Sequence, residues 1–163
     1  MLDKIYKIIF IIIKGNKMKK HIGLFLAYCL AVSANQDNLD VIKQRGDQLS
    51  QEFITYLGGQ MKSSLMNSGV LGSIDFCSKN AMLLTHEQSI KYGVTFSRKT
   101  DKPRNPGNAL DSTDRKIFTA IKMDMENQKP LSSKVIQAED GHPIYYKPLL
   151  ISNDVCLKCH GSL

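Results

Sequence analysis

The sequence predicts an α+β fold in a single domain. Two stretches with apolar residues at helical spacing come first, followed by a Pro/Gly-rich loop, a third helix and two short β-favouring segments. A length of 163 residues suits one domain. With 42% hydrophobic and 23% charged residues, the composition excludes wholesale disorder and a polytopic membrane protein.

The first 34 residues are predicted to be a leader for export to a bacterial periplasm. Met18 and the Lys-Lys-His that follows form a positive segment, and residues 22–32 form an apolar run too short to span a bilayer. Cleavage is predicted after Ala34, with Met18 as a possible true start of translation. The alternative is an uncleaved N-terminal anchor, which would be the sole membrane attachment. Residues 35–163 then form the working domain.

The positive charge of the chain lies mostly in this leader. The whole chain carries a formal net charge of +7, which by itself suggests a nucleic-acid partner. Residues 1–34 contain six Lys and one Asp, so residues 35–163 carry 16 basic and 14 acidic side chains. The working domain is therefore nearly neutral, and we expect no nucleic-acid partner.

Two helices are predicted at the start of the working domain. The first begins near Asp37 or Asn38 and ends at Gly69, and the second runs from Ser73 to Tyr92, with Gly93 ending it. The apolar positions of the first helix recur at helical spacing; they are Leu39, Ile42, Leu49, Phe53, Ile54, Leu57, Met61 and Leu65.

A strand, a loop and a third helix follow. Residues 94–98 favour a strand, and residues 99–110 contain three of the turn-forming residue types, Pro, Asn and Gly. The third helix begins at Ser112 and must end before Pro130.

The last part of the domain predicts a hairpin. Residues 135–136 and 144–146 favour strands and flank Glu139-Asp140-Gly141, a turn signal. Pro148 predicts an edge or the end of a strand, because proline cannot donate a ladder hydrogen bond. The hairpin and the Pro/Gly-rich loop argue against the competing fold, a four-helix cytochrome c′-type bundle with a C-terminal haem motif.

One motif carries chemistry. Cys156-Leu157-Lys158-Cys159-His160 is a C-x-x-C-H sequence, the covalent attachment site of c-type haem. The two thiols add to the haem vinyl groups, and the adjacent His lies under the iron as the proximal ligand. A zinc site would need a second pair of ligands, and a redox disulfide would not need the His. We expect one covalently attached haem c, bound through Cys156 and Cys159 with His160 on the iron.

The second axial ligand must come from upstream of the motif. Residues 35–163 contain three cysteines, and Cys77 is the one outside the haem motif. Ligation of the iron would explain a free thiol in an oxidising compartment, although a buried Cys often serves as a small apolar residue. The other His candidates are His86, on a helix, and His142, which we expect to face solvent beside the hairpin turn. The Met candidates have mostly helical core spacing; they are Met61, Met66, Met82, Met123 and Met125.

Four blocks together resemble a known family. They are Phe76-Cys77 with Ala81, the R-N-P-x-N loop at 98–108, Tyr146-Lys-Pro-Leu, and the C-terminal C-L-x-C-H-G. This set resembles the PAS-like c-type haem family of exported mono-haem domains. The resemblance implies a PAS-like antiparallel sheet with long N-terminal helices, and it implies that His160 is the proximal ligand and Cys77 the distal thiolate.

The basic loop provides candidate contacts for the haem propionates. Arg98, Arg104 and Asn105 can reach carboxylates, which match a guanidinium fork. A solvated basic loop is the plainer interpretation of the same residues.

These expectations favour a haem-based redox or gas sensor, with a periplasmic electron-transfer cytochrome as the alternative. If both axial positions are filled, no open site remains for substrate, so we expect no enzyme; a vacant position would reopen that possibility. The expected partners are a redox protein or a small diatomic gas.

Overall fold

The computed structural model describes residues 8–15, 31–151 and 157–158, and these combine helices with one antiparallel sheet. The strands adopt the order β2-β1-β4-β3. The predicted α+β class is confirmed, and a four-stranded sheet is incompatible with the four-helix bundle alternative. In chain order the elements are β1 (Ile8–Gly15), α1 (Ala31–Tyr92), β2 (Val94–Lys99), a 3-10 helix (Pro106–Asn108), α2 (Ser112–Glu126), β3 (Lys134–Gln137) and β4 (Pro143–Leu150).

Helix α1 consists of two arms that meet at Gly69. This residue has φ +64° and ψ −169°, a conformation that glycine reaches without steric cost. The arms, 31–68 and 70–92, lie side by side, since residues from both of them line one groove. The predicted end at Gly69 is confirmed, but the first arm begins at Ala31, ahead of the predicted cap.

The second arm turns directly into β2. Gly93 follows the helix with φ +65°, as predicted, and its N–H donates to the Ile90 carbonyl at 3.2 Å. The Phe96 N–H donates to Ser89 Oγ at 2.9 Å, and the Phe96 ring stacks on Phe53 of the first arm at 4.8 Å between centroids. The strand is therefore held against both arms.

Helix α2 has a reciprocal cap that also reaches the sheet. Asp111 Oδ1 accepts from the Asp114 N–H at 2.8 Å, and Asp114 Oδ2 accepts from the Asp111 N–H at 3.3 Å. Asp114 is buried and accepts from the Tyr146 hydroxyl at 3.0 Å. The helix ends at Glu126, before Pro130 as predicted.

The predicted hairpin is present. β3 pairs with β4 from Lys134↔Tyr146 to Gln137↔Pro143, and Gly141 in the turn has φ +80°. Beyond Tyr146, β4 pairs with β1 alone. Pro148 therefore lies on a part of β4 that has one neighbour, which is consistent with the predicted edge position.

The sheet is covered on both faces. Strand residues alternate between faces, so Ile12 and Tyr146 pack toward α2, whereas Ile13 and Tyr145 pack toward α1. The α2 cluster contains Ile12, Leu110, Phe118, Ile121, Ile144 and Tyr146; the α1 cluster contains Ile13, Leu49, Phe53, Phe96 and Tyr145.

Strand β1 was not expected, because residues 8–15 fall within the predicted leader. It lies between β2 and β4 and pairs with both, from Phe10↔Lys99 to Gly15↔Val94 on one side and from Ile8↔Leu150 to Lys14↔Ile144 on the other. The leader remains a prediction, and its removal would take a central strand from the sheet shown here. Within the described part of the chain, no helix is long and apolar enough to cross a membrane.

Gly46 allows the first arm to approach the sheet closely. A Cβ at this position would overlap the ring of Tyr145, which is buried. We expect Gly46→Ala to destabilise the protein by about 1–3 kcal/mol, the usual cost of overpacking a core. Gly58→Ala is the matched control, because nothing lies within 4 Å of its added methyl group; better helix propensity should raise stability there by up to about 1 kcal/mol. Urea unfolding of both variants measures the difference, and equal stabilities would contradict the close packing.

Candidate functional site

The haem-attachment motif itself lies outside the described residues. Cys156, Cys159 and His160 belong to this undescribed part, whereas the two residues between the cysteines, Leu157 and Lys158, are described. The motif begins six positions after β4 ends at Leu150. The structure therefore informs the upstream half of the predicted site.

Cys77 lies on the inner face of the second arm of α1. The residues that share this face at helical spacing are Ser73, Ala81 and Thr85, and all three are buried. Cys77 itself is half-buried. The thiol therefore belongs to the packed side of the arm, not to its solvent side.

Arg98 on β2 reaches the same arm. It lies two residues beyond Phe96 and so on the same face of the sheet. Its Nη2 lies 3.9 Å from the sulfur of Met82, and burial lowers the pKa of its guanidinium while the nearby Cys77 thiolate raises it. The chain turns back at Gly93, so β2 runs along the second arm and Arg98 comes close to Met82 and Cys77.

One N–H of Arg98 lacks an acceptor. Its Nε is buried and makes no hydrogen bond with any described residue. A buried donor of this kind is costly unless a partner is supplied. A carboxylate is the natural partner of a guanidinium.

Cys77 and Arg98 together fit a c-type haem. A thiolate is a known axial ligand for haem iron, and a guanidinium with a buried, unused N–H donor is suited to a propionate. The fit rests on the orphaned Nε of Arg98 and on its closeness to Cys77. Met82 is a neighbour that sequence analysis placed only in a general group of Met candidates.

The other two residues of the basic loop are differently placed. Arg104 is exposed, and Asn105 caps the 3-10 helix, with its Oδ1 accepting from the Gly107 N–H at 2.9 Å. The Lys99 ammonium donates to the Gly107 carbonyl, also at 2.9 Å. Asn105 thus has a structural use in shaping the loop, whereas Arg98 points to the α1 side. Propionate contacts by Arg104 and Asn105 stay predictions.

The alternative axial ligands are scattered. His86 is exposed on the outside of the second arm. His142 was expected to face solvent, but its side chain is only 25% exposed, because it folds onto Asp140, with its Nδ1 3.0 Å from the carboxylate. Among the residues described, no three His, Cys, Asp or Glu side chains gather as a metal-binding group.

The expected core positions of the Met residues are only partly observed. Met61 and Met125 are half-buried, whereas Met66, Met82 and Met123 are exposed. Helical spacing identified the helices but not which face of each helix packs against the sheet, so it did not separate the half-buried Met residues from the exposed ones. Of the five, Met82 is the one beside Arg98.

A comparison with protein-family models assigns the chain to a family. The model described as Tll0287-like: Tll0287 matches residues 24–163, which include both arms of α1, β2 with its loop, and the C-terminal motif. The match begins after β1. Neither the curated proteins nor the solved structures gave a match. The chain belongs to the Tll0287-like family, a family of c-type haem domains.

Proposed function

We propose that this protein is an exported c-type mono-haem protein that acts as a haem-based redox or gas sensor. The observation that carries the proposal is the C-x-x-C-H motif at 156–160 within a chain of the Tll0287-like family. The half-buried Cys77 beside a half-buried Arg98, whose buried Nε is an unused donor, supports it. The PAS-like description of the fold is part of this proposal; the antiparallel sheet with helices on both faces is compatible with it.

Each residue has a definite role in the proposal. Cys156 and Cys159 would hold the haem by thioether bonds, and His160 would be a ligand of its iron. Cys77 would supply a second iron ligand as a thiolate. Arg98 donates to a propionate from its buried Nε, which gives that donor the acceptor it lacks. When bound, the haem supplies a one-electron couple whose potential its axial ligands set.

Thiolate ligation is what makes a switch chemically reasonable. A thiolate donates charge and stabilises the ferric state, so the expected reduction potential is low. Arg98 and Cys77 lie close enough to interact electrostatically. Loss of Cys77 on reduction would leave an axial position for NO or CO. With both positions filled, substrate chemistry at the iron is disfavoured, so we do not propose an enzyme.

Electron transfer is the second candidate. Lys102 and Arg104 are exposed in the loop that leaves β2 directly after Arg98 and Lys99. Exposed cations close to a redox centre can steer an acidic redox partner into contact. In that case Cys77 stays bound in both oxidation states.

Export is proposed from the sequence of residues 18–34. The haem attachment motif agrees with it, because c-type haem is attached after export. The proposed compartment is the bacterial periplasm.

Haem attachment and ligation can be tested in one set of samples. The chain is expressed with a haem c maturation system as wild type, as Cys77→Ala and as Ser78→Ala, an exposed neighbour on the same arm. We expect wild type and Ser78→Ala to share a low-spin, thiolate-type ferric EPR signal that Cys77→Ala lacks. A Cys156→Ala/Cys159→Ala variant should carry no haem after denaturation.

The possible spectra identify the second iron ligand. A spectrum that does not depend on Cys77 removes it as a ligand; if that spectrum is low-spin, His86, His142 or a Met takes its place, and if it is high-spin, an open site revives enzyme chemistry. CO added to the reduced wild type distinguishes the two functions. Binding indicates a position vacated by Cys77 and a sensor, whereas no binding indicates electron transfer.

A further inference from the structure

A groove runs between the two arms of α1, apart from the haem residues. It encloses about 320 Å³ and is lined by Glu52, Thr55 and Tyr56 from the first arm and by Gln88 and Lys91 from the second, among others. That volume accommodates a small organic molecule. Gln88 follows Cys77 by 11 residues, which is about 16 Å along a helix, so the groove is distinct from the proposed haem site.

Gln88 is an unusual residue in this groove. Its side chain is polar, yet the residue is only 6% exposed. Its amide makes no hydrogen bond with the described part of the chain, although both of its groups can form them. Its amide atoms are not among the fully buried, unpaired polar atoms of the described residues, so they are open to the groove and available to a ligand there.

Opposite charges line the same groove. Glu52 accepts from Gln48 Nε2 at 3.0 Å, and its carboxylate also receives a hydrogen bond from Tyr92, which lowers the pKa of Glu52. The Lys91 ammonium lies 4.7 Å from the centre of the Tyr92 ring. An interaction with Tyr92 also raises the pKa of Lys91. One anion and one cation are thus both held in their charged forms around one aromatic ring.

We propose that this groove binds a small zwitterion of the α-amino acid class with an apolar side chain. Glu52 would accept from the ligand ammonium, and Lys91 would bind its carboxylate. The amide of Gln88 would gain a partner, and the rings of Tyr56 and Tyr92 would contact the apolar side chain. A ligand with only one charge would pair with only one of Glu52 and Lys91.

The test uses the haem-loaded full chain and L-leucine as the probe, measured by equilibrium dialysis. We expect saturable binding of one L-leucine per chain. Two analogues each lack one charge: 4-methylpentanoate has no ammonium group, and 3-methylbutylamine has no carboxylate. Each should bind at least about tenfold more weakly, the value of one charge-assisted hydrogen bond.

Variants locate the site. Gln88→Leu and Lys91→Gln should each weaken L-leucine binding by about fivefold or more, with unchanged haem absorption and helical circular dichroism. Lys62→Gln is the control, because Lys62 is an exposed cation of the first arm that does not line the groove. Lys91 is exposed, so its replacement does not threaten folding.

Several outcomes would overturn the proposal. Absence of saturable L-leucine binding by wild type removes the ligand class, and equal binding of either analogue removes the need for two charges. Unchanged L-leucine binding by Lys91→Gln would show that the ligand does not bind at Lys91. Failure of the haem function would appear in the absorption and EPR spectra, which this experiment records separately.

Discussion

Replacing Asp47 with Asn should lower the free energy of unfolding by about 2–3 kcal/mol at neutral pH, since it weakens hydrogen bonds to a charged acceptor that links α1 to β4 and to the residue before β3. Asp47 on α1 accepts from the Tyr145 hydroxyl at 2.6 Å and from the Lys147 ammonium at 2.9 Å, both on β4. It also accepts from Ser133 at 3.1 Å, just before β3, and from Lys43 at 3.2 Å. In the variant, the Tyr145 hydroxyl would donate to a neutral amide oxygen instead of a carboxylate. Because Tyr145 is buried, water cannot readily replace the weakened bond.

The loss should depend on pH. Burial raises the pKa of Asp47, but the hydrogen bonds from Tyr145, Lys147, Lys43 and Ser133 outweigh it and hold the pKa below its ordinary value of 3.8. A depressed carboxyl pKa contributes stability above the unfolded-state pKa, and that contribution is lost as the pH falls. The difference between wild type and Asp47→Asn should therefore shrink below about pH 4.

Asp75→Asn is the matched control. Asp75 lies on the other arm of the same helix and pairs with Lys79 at 2.7 Å on an exposed surface. Such pairs contribute little, so the change should stay within about 0.5 kcal/mol. Urea unfolding from pH 3 to pH 7 measures all three proteins. Equal losses for the two variants, or a loss for Asp47→Asn that is no smaller at pH 3 than at pH 7, would contradict the role of the Asp47 carboxylate.

Replacing Ile12 with Ala should destabilise the protein by about 2–5 kcal/mol, the range for a fully buried aliphatic side chain. Ile12 is 1% exposed on β1 and packs with Phe118, Ile121 and Tyr146. The cavity would open at the centre of the sheet, where β1 is hydrogen-bonded on both edges. Lys14→Ala on the same strand is the control, because Lys14 is exposed and its loss should change stability by less than about 0.5 kcal/mol.

The same experiment tests whether residues 8–15 are retained in the mature protein or removed with the leader. Urea unfolding should be combined with the intact mass of the purified protein. A chain that retains β1 should show the large Ile12 effect. A mature chain cut after Ala34 would show neither effect, and the sheet would have to close without β1. A retained N-terminus with a stability unaffected by Ile12→Ala would contradict the central position of this strand.

Local signals in the sequence determined much of this fold. Gly69 and Gly93 have positive φ where a helix end was predicted, and Asp111 caps α2 immediately before Ser112. The hairpin around Gly141 follows from alternation and turn chemistry within about a dozen residues. Each of these features depends on neighbours along the chain, which is why sequence reasoning reaches them. The haem motif is likewise local, since it requires only five consecutive residues.

Contacts between distant segments required the tertiary structure. Nothing in the apolar run at 8–15 indicates which strands it pairs with, and its pairing with β2 and β4 joins residues at least 79 positions apart, the separation of Gly15 and Val94. The Asp47–Tyr145 bond spans 98 positions. The approach of Arg98 to Met82 and Cys77 depends on how β2 turns back along the second arm. The sequence by itself determined which elements form and which chemistry the chain carries. Only tertiary packing decided which side chains meet, because long-range contacts depend on the register and faces of elements that no local pattern encodes.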